Sequence, residues 1–162
     1  MNRLSLLGIS LITIVLNGCA SLDVTPPISY DVERNRVYNM NYESTWLKSV
    51  DWFADHNVTI EKIEKTSGLI TAKYRLQADE TFLDCGNIQT RGTVEPEINR
   101  SGSLNVTVRE NSDSQTTVNV NFSGDFEFFA LDVWTSRTIT TSGVCVSTGE
   151  IERWILDFIG NK

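Results

Sequence analysis

The sequence predicts an α+β domain: an antiparallel sheet of about five strands, covered on one face by two amphipathic helices. Two stretches, one in the first third of the chain and one at its end, carry apolar residues at helical spacing. The segments between them alternate apolar and polar residues with the period of a strand, and clusters of turn residues separate them.

Residues 30–40 have scattered apolar positions, Tyr30, Val32, Val37 and Tyr38, and fit an edge strand or an extended lead-in. A helix is predicted from Tyr42 to Asp55, with Asn41 placed to cap its first turn. Tyr42, Trp46, Val50 and Phe53 stack on one face, and Leu47 and Ala54 widen that stripe. Such a stripe is core, or alternatively the lining of a ligand site. His56 stands where the helix stops, and an imidazole there meets the last carbonyls. Val58 to Ile63 and Leu69 to Leu76 form a hairpin around the turn Lys65-Thr66-Ser67-Gly68. Gly68 supplies the positive φ of that turn.

Residues 77–101 have no clear period. A loop of this length is functional or stapled, and it contains the candidate binding surface Asp79, Glu80, Phe82 and Asp84. The plainer alternative is a solvated insertion with a short strand near Ile88 to Val94. Leu104 to Arg109 alternates again, and 111–114 is a turn by composition. From Thr117 to Phe128, Val118, Val120, Phe122, Phe126 and Phe128 face one way, and a bend is expected at Gly124. Phe129, Leu131 and Val133 then shift the apolar set to odd positions, which predicts a turn or bulge near 128–130 and a further strand to about Thr140. Ser147-Thr148-Gly149-Glu150 fits a capping box. The helix after it, Thr148 to Ile159, buries Ile151, Trp154, Ile155, Phe158 and Ile159 and leaves Glu150, Glu152, Arg153 and Asp157 wet.

At the start of the chain an apolar run, Leu6 to Leu16, follows Arg3 and precedes small residues, the plan of a cleaved secretory signal. It is well short of the roughly 20 apolar residues that a membrane span needs. Leu16-Asn17-Gly18-Cys19 resembles the lipobox of bacterial lipoproteins. The resemblance implies removal of residues 1–18 as a signal peptide and lipidation of Cys19 as the new first residue. Ala20, in place of an aspartate, implies by similarity to enterobacterial lipoproteins the periplasmic face of the outer membrane. Residues 19–29 then read as a lipidated tether and 30–162 as a single domain; 144 of the 162 residues remain after cleavage, enough for one core. With Cys19 on lipid, Cys85 and Cys145 are left to form a disulfide in an oxidising compartment. A metal pair or a reactive thiol is the alternative, for which a lone His56 and the absence of CxxC offer little. A lead-in strand, Trp46 in a helix, a return strand opening Gly68-Leu69-Ile70 and a capped closing helix resemble the helix-grip domains of BamC-type outer-membrane lipoproteins.

The formal charge of −7, about −8 after loss of Arg3, argues against nucleic acid and against electrostatic adsorption to anionic head groups. A single histidine at a helix end gives no support to a Ser-His-Asp site, and no Gly-rich phosphate loop is present. No cofactor and no metal are expected. The expectation is a lipid-anchored, non-enzymatic binding or adaptor module of the cell envelope. It would join the membrane through Cys19 and a protein partner through the Cys85 loop or an exposed strand edge. One alternative is small-molecule or lipid binding between sheet and helices, suggested by Trp46, Phe53, Phe122, Phe126 and Trp154. Another is inhibition of a basic enzyme such as lysozyme, suggested by the acidic charge.

Overall fold

A computed structural model describes residues 21–76, 81–91, 94–132 and 136–161. The elements in chain order are β1 (Ser21–Thr25), β2 (Asn35–Tyr38), α1 (Tyr42–Asp55), β3 (Ile60–Glu64), β4 (Leu69–Leu76), β5 (Leu83–Asp84), β6 (Asn87–Arg91), β7 (Val94–Ser112), β8 (Gln115–Asp132), β9 (Arg137–Ser147) and α2 (Glu150–Gly160). The fold is α+β, with a seven-stranded antiparallel sheet in the order β3-β4-β7-β8-β9-β5; β2 pairs with β8, beside β9. The sheet therefore has seven strands where about five were expected. β5, two residues long, is too short to show a period, and β2 was open between strand and lead-in.

The long β7–β8 hairpin is the frame. Its register runs from Val94↔Asp132 to Glu110↔Thr116 unbroken, with a shift only between Glu110 and Ser112. Residues 94–101, expected in a loop, belong to β7. Val94, Pro96 and Ile98 alternate with Glu95, Glu97 and Asn99, and β4 ends opposite Arg100, so Pro96 lies where β7 has β8 as its neighbour and no β4 partner needs its missing N–H. In β8 every even position from Thr116 to Ala130 is buried. The turn or bulge expected near 128–130 does not occur: Phe129 and Leu131 stay on the outer face of a continuous strand, and Val133 lies outside the described residues. Nor does the register shift at Gly124. The glycine instead admits Leu83, whose Cδ1 would lie 2.3 Å from an added Cβ.

Helix α1 starts as predicted, with Asn41 Oδ1 accepting from the Ser44 N–H at 2.8 Å. Its buried face is rotated from the expected one: Thr45, Trp46, Ser49, Trp52 and Phe53 are inside, whereas Leu47 is 52% exposed and Ala54 is exposed. The hydroxyls of Thr45 and Ser49 hide this face from an apolar count, since each donates one turn back, to Asn41 O and Thr45 O. The capping box of α2 does not form. Gly149 occupies the cap at φ 90° without a side-chain bond, and Glu150 pairs with Arg153. The buried residues of α2 are Ile151, Glu152, Ile155, Leu156 and Ile159, so Glu152 is inside and Trp154, at 39% exposure, is half out. Both helices contact β8 and each other; α1 also meets β7, and α2 meets β2.

The hairpin β3–β4 turns at Gly68, φ 59°, as predicted. A Cβ there would meet the Val108 carbonyl oxygen at 2.1 Å. Of the residues expected to be a tether, Ser21–Thr25 are a strand paired with β6, and Leu22 and Ile88 both pack on the core. Leu22 and Val24 alternate with Ser21, Asp23 and Thr25, but five residues are too few to fix a strand without the partner ladder that β6 supplies.

Candidate functional site

Cys85 and Cys145 are joined. β5 places the first by pairing Leu83 with Ser147 and Asp84 with Val146, and β9 places the second opposite Gly124. Gly86, at φ 78°, turns the chain into β6. Asp84 closes this corner: Oδ1 accepts from the Gly86 N–H at 2.7 Å, and Oδ2 from the Ile28 N–H at 3.1 Å and the Tyr30 hydroxyl at 3.2 Å. Burial pushes its pKa up, but the three donors outweigh that and hold the carboxyl below its ordinary 3.8. Phe82 is half-buried and stacks on Trp154, centroids 6.4 Å apart, while its carbonyl accepts from the Thr148 N–H. Two of the four candidate binding residues, Phe82 and Asp84, are thus held by the fold itself. Asp79 and Glu80 lie outside the described residues, as do Cys19 and the signal-like segment.

His56 donates through Nδ1–H to the Trp52 carbonyl oxygen at 2.7 Å, as a helix-end imidazole is expected to. Its ring stacks on Trp52 and meets Trp154 and Phe158 edge-on. The imidazole is packed among aromatic rings, with no nucleophile or carboxyl among its described contacts.

The buried polar residue that sequence reading missed is Glu152, and its role is structural. It is fully buried, with Oε1 accepting from the Phe122 N–H at 3.2 Å and Oε2 from the Ser147 hydroxyl at 2.6 Å; Ser147 Oγ in turn accepts from the Gly149 N–H. The reason lies in the edge of β8. Residues 116–119 pair with β2 and the Val120 N–H donates to Arg34 O, while the ladder with β9 runs from Ser123, opposite Val146, to Asp132. The Phe122 amide falls in the gap between β2 and β9, and Glu152 fills it. A helical wheel carries the signal, since Glu152 shares the face of Ile155, Leu156 and Ile159 at spacings of three, four and seven.

Of the aromatic residues considered for ligand binding, Trp46, Phe53, Phe122 and Phe126 are buried in one apolar core. The described hollows lie at the surface. One, of about 370 Å³, is lined by Pro96, Glu97, Phe129, Ala130, Leu131 and Thr138; another, of about 440 Å³, by Lys48, Asp51, Asp55, Phe158 and Asn161. Among the described residues no group of three His, Cys, Asp or Glu side chains is placed to hold a metal, and no helix is long and apolar enough to cross a membrane. No family model matches the chain, and no curated protein matches its sequence.

One edge of the sheet is open. From Arg137 to Cys145, no described strand pairs with the side of β9 away from β8. Thr138 to Val146 carries no charge, whereas the other edge strand, β3, carries Glu61, Lys62 and Glu64. Charges on edge strands prevent further pairing, and β9 lacks them from Thr138 onward.

Proposed function

We propose that the chain is a lipid-anchored periplasmic protein of the bacterial envelope, on the outer membrane, that acts as a non-enzymatic binding or adaptor module. The Cys85–Cys145 disulfide carries this reading. It fits an oxidising compartment, and it uses two of the three cysteines, leaving Cys19, behind a signal-like segment, for lipid. The arrangement is helix-grip-like, with α1 and α2 laid over one face of the sheet, in keeping with their shared core and their contacts with β8. Because Phe82 and Asp84 are occupied within the fold, the uncharged edge of β9 is the better docking element, by addition of a partner strand.

Fatty-acid labelling of the full chain in growing cells tests the anchor. Wild type takes up label and sediments with membranes; Cys19→Ser loses label and becomes soluble. A Cys19→Ser chain that stays labelled on membranes contradicts the anchor. Cross-linking in intact envelopes tests the edge: Ser142→Lys, exposed on β9, removes the partner adduct, and an unchanged adduct excludes that edge.

A further inference from the structure

The outer face of β8 is polar over most of its length, reading Thr117, Asn119, Asn121, Ser123, Asp125 and Glu127 at the odd positions. At its end the same face becomes apolar, with Phe129 and then Leu131, the latter 43% exposed. The register does not change there, so these two side chains do not serve the core. Other exposed apolar residues, such as Val37 and Leu47, are scattered and unremarkable for a protein surface. Phe129 and Leu131 instead share a hollow with Pro96 and Thr138.

This is also the end at which the lipid arrives. β1 begins at Ser21, two peptide steps and at most about 7.6 Å from Cys19. Ser21 pairs with Arg91, three residues before Val94, and Val94 pairs with Asp132. Adding those steps places Ser21 within about 22 Å of Asp132. The opposite end of β8, Gln115, is 17 residue steps from Asp132, roughly 50–60 Å along the strand. With Cys19 acylated there is no leash long enough to let the domain turn over.

On the anchored reading just proposed, we infer that the end of the sheet carrying Phe129 and Leu131 rests on the bilayer, with those side chains in its interfacial region. The β7–β8 turn at 112–115 points away from it. Exposed Arg91 and Arg137 stand at this end together with exposed Glu97, and the chain as a whole is acidic. The contact is therefore apolar rather than electrostatic, and it is insensitive to salt. The arrangement turns the far turn toward the periplasm.

The test is photocross-linking of the full, acylated chain in phosphatidylethanolamine–phosphatidylglycerol vesicles, with p-benzoylphenylalanine replacing Leu131, Phe129 or, as control, Asp113 in the far turn. Acylation of Cys19 is read by mass spectrometry on the same sample, and cooperative unfolding confirms the fold of each variant. The inference expects lipid adducts at 131 and 129, none at 113, and no loss of adduct in high salt. Absence of lipid adducts at 131 and 129 in acylated protein overturns it and leaves the anchor standing. Adducts between two copies of the chain at 131 overturn it in favour of self-association. Adducts lost in high salt overturn the apolar contact, and a chain without acyl groups on Cys19 overturns both the anchor and the inference.

Discussion

Replacing Glu152 by alanine is the sharpest probe of how this domain holds together. The substitution removes the acceptor of two buried donors, the Phe122 amide and the Ser147 hydroxyl. An orphaned buried donor costs about 1–3 kcal/mol, and the lost side chain also leaves a void in a core where Glu152 is fully covered. Together these give a loss of about 3–5 kcal/mol, a large part of the 5–15 kcal/mol that typically separates folded from unfolded states. Glu152→Gln keeps an oxygen for the Phe122 amide and retains the volume, so its cost is about 1 kcal/mol. The assay is urea unfolding followed by tryptophan fluorescence. With a slope of about 2 kcal/mol per molar, the alanine variant unfolds at a urea concentration lower by roughly 2 M. A cycle with Ser147→Ala shows coupling, because once Glu152 is gone the hydroxyl has lost its acceptor. A Glu152→Ala variant within about 0.5 kcal/mol of wild type refutes the claim that this side chain completes the edge of β8.

Three further outcomes follow from the same structure. Cys85→Ser with Cys145→Ser lowers stability by about 4 kcal/mol, the entropy of a 60-residue loop; equal unfolding midpoints with and without reductant contradict it. Asp84 has a folded pKa below 3.8, so its stabilisation is complete above about pH 4 and is lost as pH falls through the folded value. The thermal midpoint of wild type therefore drops more steeply below pH 4 than that of Asp84→Asn, and parallel curves rule this out. Gly124→Ala forces a Cβ to 2.3 Å from Leu83 Cδ1 and 2.7 Å from Ser101 O and costs about 1–3 kcal/mol; an unchanged unfolding midpoint shows that the close approach is not required.

Where the chain's own period is strong, the structure was legible in the sequence. Helix α1 with its Asn41 cap, the hairpin at Gly68 and the even-numbered core face of β8 follow from patterns within one segment, and the cysteine pair follows from assigning Cys19 to lipid. What was not legible depends on a partner. β1 and β6 are five residues each, too short to fix a strand alone, and exist through their mutual ladder, and β7 extends back to Val94 because β8 is there to pair with it. The charge of Glu152 predicts a wet side chain against its position on the helix; the gap in the β8 edge that it fills is a feature of three strands at once. The parity change at Phe129 was visible as a signal, but its meaning was not. Alternation tells which side chains share a face and leaves open whether the apolar face meets the core or something outside. For the candidate binding surface, composition placed Phe82 and Asp84 in an acidic, loop-like stretch, and only the tertiary contacts reveal that Asp84 ties that corner to Ile28 and Tyr30.

The central claim, a domain held at the membrane through Cys19, is tested most directly by intact-mass and N-terminal peptide analysis of the protein recovered from the cell envelope. The account predicts a chain that begins at Cys19 and carries acyl groups there, with Cys85 and Cys145 oxidised to one another. A chain that retains residues 1–18, or that begins beyond Cys19 without lipid, contradicts it.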